Sequence, residues 1–240
     1  ERALGEAQEV WTEIDMDPAK EAAMQGLVMR YGIDTTRPLS SKVTPARWTQ
    51  IQAAAASYGM AAANLEPMKP WLASLTFSIM PMMKAGYDPN AGVDRAIDRI
   101  ARAGGKTMRA FETSEQQLQF FSTFSEEMQV QMLYESLDEM EKGVEALTAM
   151  ETAWEKGDDR ALATEMVAEM ARDYPQLYDV LLKRRNSAWV ETLSNELKGS
   201  GVDFVAVGAA HLAGPDSVQA LLGARNIPGV TVTRVTPAPY

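Results

Sequence analysis

The stretch VDFVAVGAAHLAG, residues 202–214, decides the fold class of this sequence. Its first six residues are mostly β-branched or aromatic and predict a buried strand, bounded by Gly201 and Gly208. Gly208 allows a sharp turn or a positive φ. His211, the one histidine of the sequence, then falls just past the carboxyl end of a strand, where open α/β sheets bind their ligands. It can ligate a metal or move a proton, or it is a surface-loop histidine without a role.

Three other segments have the pattern of strands, namely residues 8–15, 106–111 and 230–235. Helical periodicity dominates elsewhere, above all in residues 114–198, which open with the capping box TSEQ at 113–116. The sequence therefore predicts one α/β (α+β-like) domain over residues 1–240. We expect a small mixed sheet of about four strands, flanked by helices, with a large helical insertion between the second and third strands.

Acidic residues stand at the ends of two predicted strands. Glu13 and Asp15 alternate with apolar residues, so they lie on one face of the first strand and either bind a cation or end an edge strand in solvent. Glu112 directly follows the second predicted strand. It has a catalytic role, or it is a carboxylate favoured by the dipole of the helix that follows.

Composition excludes several classes of function. The formal net charge is −10 and no basic cluster dominates, which disfavours a nucleic-acid role. No apolar run is long enough to cross a bilayer. The sequence has no cysteine, which excludes disulfides, thiolate zinc sites and cysteine catalysis. The short basic run at 183–186 is either solvated or turned toward a carboxylate or an anionic substrate.

The ends of the sequence carry two expectations. The chain starts without Met or an apolar signal region and reads as helix already under way, so we expect a mature form or a fragment. At the other end, residues 237–239 are expected to form a frayed tail.

Several landmarks follow one another in an order typical of a known family. They are Glu13-Ile14-Asp15, Phe111-Glu112-Thr113, Arg185-Asn186 followed by Trp189, and the segment from Val205 to Gly214. Over nearly its whole length the sequence resembles the TraB/GumN family. That family is related to the Tiki-type metal-dependent proteases and, more remotely, to erythromycin-esterase and ChaN-like proteins.

The resemblance implies a divalent-metal site for Mn²⁺, Co²⁺ or Zn²⁺. Gly208 to His211 matches the second of two G-x-x-H motifs, and His211 is the implied ligand. Glu13 and Glu112 match the acidic positions, each as a ligand or as the general base. Arg185 would stabilise an oxyanion or bind a substrate carboxylate, and Asn186 would orient a ligand. The first G-x-x-H motif and its strand are expected upstream of Glu1.

The function implied by the resemblance is metal-dependent hydrolysis, peptidase-like, in the periplasm or cell envelope, with a signal or lipoprotein anchor upstream. The expected partner is a peptide or small-molecule substrate, and a homo-oligomer is compatible with the sequence. With the first motif missing, we expect the chain as it stands to bind metal weakly or not at all and to be inactive. The alternative is a non-catalytic binding or assembly protein of the same fold, serving polysaccharide export or carrying a ligand such as haem.

Overall fold

The computed structural model describes residues 2–142 and 145–235. A small parallel sheet of three strands, in the order β2-β1-β3, is flanked by helices. The strands are β1 (Glu9–Ile14), β2 (Thr107–Glu112) and β3 (Asp203–Val205). Strands β1 and β3 run parallel, with Val10 opposite Phe204. Their carboxyl ends therefore lie at the same edge of the sheet.

The α-helices of the described residues are α1 (Arg2–Glu6), α2 (Pro18–Gly32), α3 (Pro45–Ser57), α4 (Pro70–Lys84), α5 (Val93–Ala103), α6 (Ser114–Ser122), α7 (Glu126–Lys142), α8 (Glu145–Glu155), α9 (Asp159–Leu162), α10 (Glu169–Asp173), α11 (Pro175–Tyr178), α12 (Arg184–Glu196) and α13 (Val218–Ala224). Two π-helical turns, Ala163–Ala168 and Asp179–Lys183, connect α9 to α10 and α11 to α12. The helical insertion between the second and third strands is thereby confirmed.

The described residues form two compact units, each assembled from separate stretches of chain. One contains residues 2–13, 101–111 and 149–235, and the other contains residues 14–100, 112–142 and 145–148. The expectation of one domain over residues 1–240 stays a prediction.

The second unit is built around the pairing of α4 with α7. Its core contains Leu39, Ile51, Leu65, Phe77 and Leu133, each fully buried. A predicted capping signal is confirmed at the start of one of its helices. Thr113 and Gln116 exchange both hydrogen bonds of the predicted capping box at the start of α6.

The first unit places α12 against apolar residues of the sheet. Its buried positions Asn186, Trp189, Val190 and Leu193 recur with the period of one helix face. They pack with side chains that include Phe111 and Val205. One amide, Asn186, interrupts this apolar face.

The predicted fourth strand is wrong. Residues 230–235 form no strand, and the sheet is parallel rather than mixed. The Val230 N–H donates to Ile227 O in a turn, and Val235 is 79% exposed. Arg234 extends to Asp159, so this segment is held by side-chain bonds and not by a β ladder. Alternation alone does not supply the partner edge that a strand needs.

One expectation concerns residues outside the described part of the chain. The tail expected at residues 237–239 lies there, and so do residues 143–144. Among the described helices, none combines the length and the apolar character that a membrane span requires.

Candidate functional site

Five residues of the first unit form what we call the site cluster: Glu13, Arg185, Asn186, Gly208 and His211. Glu13 lies near the carboxyl end of β1, and the Gly208–His211 turn follows β3. Arg185 and Asn186 are in the first turn of α12. Parallel pairing of β1 with β3 brings the first two elements to one edge, and α12 supplies the rest.

The G-x-x-H spacing corresponds to one tight turn. The His211 N–H donates to Gly208 O at 2.9 Å, while the Gly208 N–H donates to Glu13 Oε1 at 2.8 Å. Gly208 has φ −54°, so a positive φ is not the reason for glycine here. A Cβ atom would lie 3.2 Å from Glu13 Oε1. Glycine therefore permits the close approach of the carboxylate to the backbone.

Asn186 is buried and fixes the orientation of His211. Its Nδ2 donates to the carbonyl oxygen of Asp216 at 2.8 Å. A carbonyl only accepts, so Oδ1 must be the atom that lies 2.5 Å from His211 Nδ1. His211 Nδ1 then carries the proton, and Nε2 presents a lone pair.

Arg185 meets that lone pair. Its Nη1 lies 3.1 Å from His211 Nε2 and also donates to Leu181 O at 3.0 Å. Its Nη2 donates to Glu13 Oε2 at 2.7 Å. The guanidinium thus joins the carboxylate to the imidazole, with its own side chain only 10% exposed.

The electrostatics follow from burial and from this pairing. Burial lowers the pKa of His211 to about 4; Glu13 opposes this shift and Arg185 adds to it. Burial alone would raise the pKa of Glu13. The Gly208 hydrogen bond and Arg185 act in the opposite direction, and the net result is a lowered pKa of Glu13. At neutral pH the cluster therefore holds a neutral imidazole beside an ion pair.

An aromatic stack forms one wall of the cluster. The Trp189 ring lies 4.3 Å from the His211 ring and 5.0 Å from Phe111, and Trp11 lies 5.1 Å beyond Phe111, all between centroids. The Arg185 guanidinium lies 4.9 Å from the centroid of Trp189. This wall excludes water from one side of the imidazole, which disfavours its charged form.

The sequence profile of the TraB/PrgY/gumN family matches residues 1–234. The chain belongs to the TraB/PrgY/gumN family. No curated protein and no solved structure matches it. The family resemblance expected from the landmarks is confirmed, and the segments that carried it include those that form the site cluster.

A divalent cation, which the resemblance implies, finds two kinds of donor in the site cluster: His211 Nε2 and the Glu13 carboxylate. A hydrolytic metal centre takes about three protein ligands. In residues 2–142 and 145–235, no group of three or more His, Cys, Asp or Glu side chains is arranged to hold a metal ion. Arg185 also contacts both donors. The residues present do not fit the metal that family members are expected to bind.

The other acidic candidates lie in the second unit and have local partners. Asp15 accepts from Lys20 at 2.5 Å, which places a lysine where the cation hypothesis put a metal. Glu112 accepts from Gln117 at 3.1 Å, one turn into the following helix. The catalytic or metal-binding role of Glu112 in this TraB/PrgY/gumN chain stays a prediction.

Sequence reasoning missed one participant, Asp216. Its carbonyl holds Asn186, and its carboxylate accepts from Tyr178 Oη at 2.5 Å. Burial and the Asp216 hydrogen bond raise the pKa of Tyr178. Asp216 follows the Gly214-Pro215 turn, and no periodicity marks it. The contact depends on where α12 lies against that turn.

Proposed function

We propose that the chain is a hydrolase of the TraB/GumN type, acting on peptide-like or small-molecule substrates in the bacterial cell envelope. One observation carries the proposal: a buried neutral histidine, held in one tautomer, shares a buried arginine with an ionised carboxylate. Carbonyl hydrolysis passes through an oxyanion, which a guanidinium in a dry site stabilises. Family membership supports the same class of reaction.

The cluster residues take different roles in this proposal. A pKa of about 4 makes His211 a weak general base at neutral pH, so it serves as a neutral acceptor or ligand. Glu13 is ionised and is the candidate to accept a proton from water. Arg185 binds the oxyanion or a substrate carboxylate, and Asn186 orients His211. We retain Glu112 as the additional carboxylate implied by the resemblance.

The proposal includes a limit on metal binding. Mn²⁺, Co²⁺ or Zn²⁺ is the implied cofactor, but the site cluster offers two kinds of donor and Arg185 contacts both. We therefore expect the chain as it stands to bind these ions weakly or not at all, and to be inactive. Tight stoichiometric Mn²⁺ binding by this chain contradicts that expectation.

Peptide cleavage tests the proposal. The chain, and a form extended by any residues that its gene encodes before Glu1, are assayed with added Mn²⁺, each with and without His211→Ala. Cleavage by the extended form that His211→Ala abolishes supports the hydrolase. Equal activity of the two extended forms removes His211 from the reaction and overturns the assignment.

A second candidate is a non-catalytic binding or assembly protein of the same fold. The pairing of Arg185 with Glu13 favours this candidate, because their two charges already balance each other before any ligand binds. Absence of cleavage under every metal, together with saturable binding of a carboxylate-bearing or haem-type ligand, would select it. Envelope localisation is tested separately, by fractionation of cells producing the complete gene product.

A further inference from the structure

Arg185 holds the position that a cation shared by Glu13 and His211 would need. Its Nη1 lies 3.1 Å from His211 Nε2 and its Nη2 lies 2.7 Å from Glu13 Oε2. Glu13 Oε1 and His211 Nε2 are themselves 3.8 Å apart. A metal ion takes such atoms at about 2.0–2.2 Å. Both donor groups already receive hydrogen bonds from one guanidinium, so the same lone pairs cannot serve both cations.

Arg185 is also held in place by residues other than Glu13 and His211. Nη1 donates to Leu181 O, and the guanidinium lies over the Trp189 ring. Its side chain is nine-tenths buried. These contacts fix the guanidinium even before Glu13 and His211 are counted.

His211 is oriented toward this cation by its other nitrogen. Asn186 Oδ1 accepts from Nδ1, so the Nε2 lone pair faces Arg185. Metal-ligating histidines are oriented by the same kind of hydrogen bond. Glu13 and His211 are thus oriented as a pair of metal ligands would be, but the Arg185 guanidinium lies between them.

From this geometry we infer that Arg185 is a resident cation that excludes divalent metal ions from Glu13 and His211, so that metal binds only when the guanidinium is displaced. The inference rests on the proposed function for the choice of ion, and it deepens that function by naming the group that controls access. The physical reason is that two positive charges a few ångströms apart in a partly buried site repel strongly. In addition, the metal would lose the lone pairs that Arg185 now uses.

The inference is tested by metal binding, without an activity assay. Arg185→Met removes the charge and keeps a side chain of similar reach. We expect Zn²⁺ and Mn²⁺, titrated calorimetrically, to bind this variant at least about tenfold more tightly than the wild-type chain. Arg185→Met/His211→Ala should return to the wild-type level. Arg184→Met is the matched control, because Arg184 is the neighbouring, exposed arginine paired with Asp179, and it should leave binding unchanged.

Two measurements keep the test decisive if Arg185→Met folds poorly. Arg185→Gln retains a polar group and should show the same tightening. In the wild-type chain, stoichiometric Mn²⁺ should leave the single histidine ring signal unbroadened in NMR spectra. Equal affinity of folded wild-type and Arg185 variants, tightening that survives His211→Ala, or broadening in the wild type would each overturn the inference. Failure to cleave peptides would affect only the proposed function.

Discussion

Asn186 Oδ1 lies 2.5 Å from His211 Nδ1, and this contact decides which imidazole nitrogen carries the proton. Because Asn186 Nδ2 is committed to the Asp216 carbonyl, the amide cannot turn around without losing that bond. The proton on Nδ1 leaves Nε2 as an acceptor, and Arg185 supplies the donor. One buried amide thereby sets the chemical character of the site cluster.

The tautomer is directly observable, since the chain has one histidine. We expect ¹⁵N-edited NMR spectra to show neutral imidazole with the proton on Nδ1 at pH 7. Titration should give a pKa of about 4, because burial disfavours the imidazolium. A proton on Nε2, or a pKa at the ordinary value for histidine, would contradict the assignment.

Stability should depend on pH through the same residue. Between the unfolded pKa of about 6.5 and the folded pKa of about 4, the unfolded chain binds a proton that the folded chain does not. The free energy of unfolding should therefore fall as pH falls through this window, by about 3 kcal/mol for His211. Glu13, whose pKa is lowered, loses its contribution further down, below the ordinary glutamate pKa of 4.5.

Urea denaturation at several pH values measures this dependence. His211→Gln should lack the His211 contribution between pH 6.5 and pH 4, because it has no imidazole to titrate there. Identical profiles for the wild type and His211→Gln would show that His211 is not buried in its neutral form.

Removing the Asn186 amide should be costly. Asn186→Ala leaves the His211 Nδ1–H and the Asp216 carbonyl without their partner, and we expect a loss of about 2–3 kcal/mol of unfolding free energy. Asn186→Asp places a carboxylate beside His211 and should raise the His211 pKa by about one unit or more.

The matched control is Asn195→Ala, an exposed amide on the same helix that bonds Lys198. It should change the unfolding free energy by less than about 0.5 kcal/mol. A similar loss for Asn186→Ala and Asn195→Ala would mean that Asn186 has no special role in helix α12.

The two glycines that flank His211 should differ in their tolerance of alanine. Gly208 has φ −54°, and its added Cβ would meet a side-chain oxygen at 3.2 Å, so we expect a loss of at most about 1 kcal/mol. Gly214 has φ +81°, and its Cβ would meet Val167 Cγ1 at 3.0 Å, so about 1–3 kcal/mol should be lost. Chemical denaturation of both variants gives the order; a reversed order would show that the Glu13 carboxylate cannot move aside.

Local sequence patterns predicted most of the helices and strands, and they placed Glu13 and His211 near the ends of strands. The apolar run at 202–207 gave β3, although the paired strand is shorter. The Thr113–Gln116 capping box marked the start of α6 because its two hydrogen bonds are made within four residues. Residues 230–235 show the limit of such patterns, since alternation has no meaning for a segment without a partner edge.

Contacts between distant residues were beyond any local pattern. Glu13 and Arg185 are separated by 172 positions, and nothing in the spacing of either predicts their ion pair. Asp216 belongs to the hydrogen-bond network of the site only because its carbonyl oxygen accepts from Asn186 Nδ2. Family resemblance brought Glu13, Arg185, Asn186 and His211 into one group, but it did not indicate that Arg185 occupies the cation position.

The sequence by itself determined that Glu13 and His211 stand near the carboxyl ends of strands, and that Arg185 and Asn186 are neighbours on one helix. It did so because strand and helix periods depend on nearby residues. Only the tertiary structure decided which atoms meet. The packing of α12 against Phe111 of β2 and Val205 of β3 accompanies the burial of Asn186 against His211 and the contact of Arg185 with the Glu13 carboxylate. Burial then makes the imidazole neutral and gives the single histidine its chemistry.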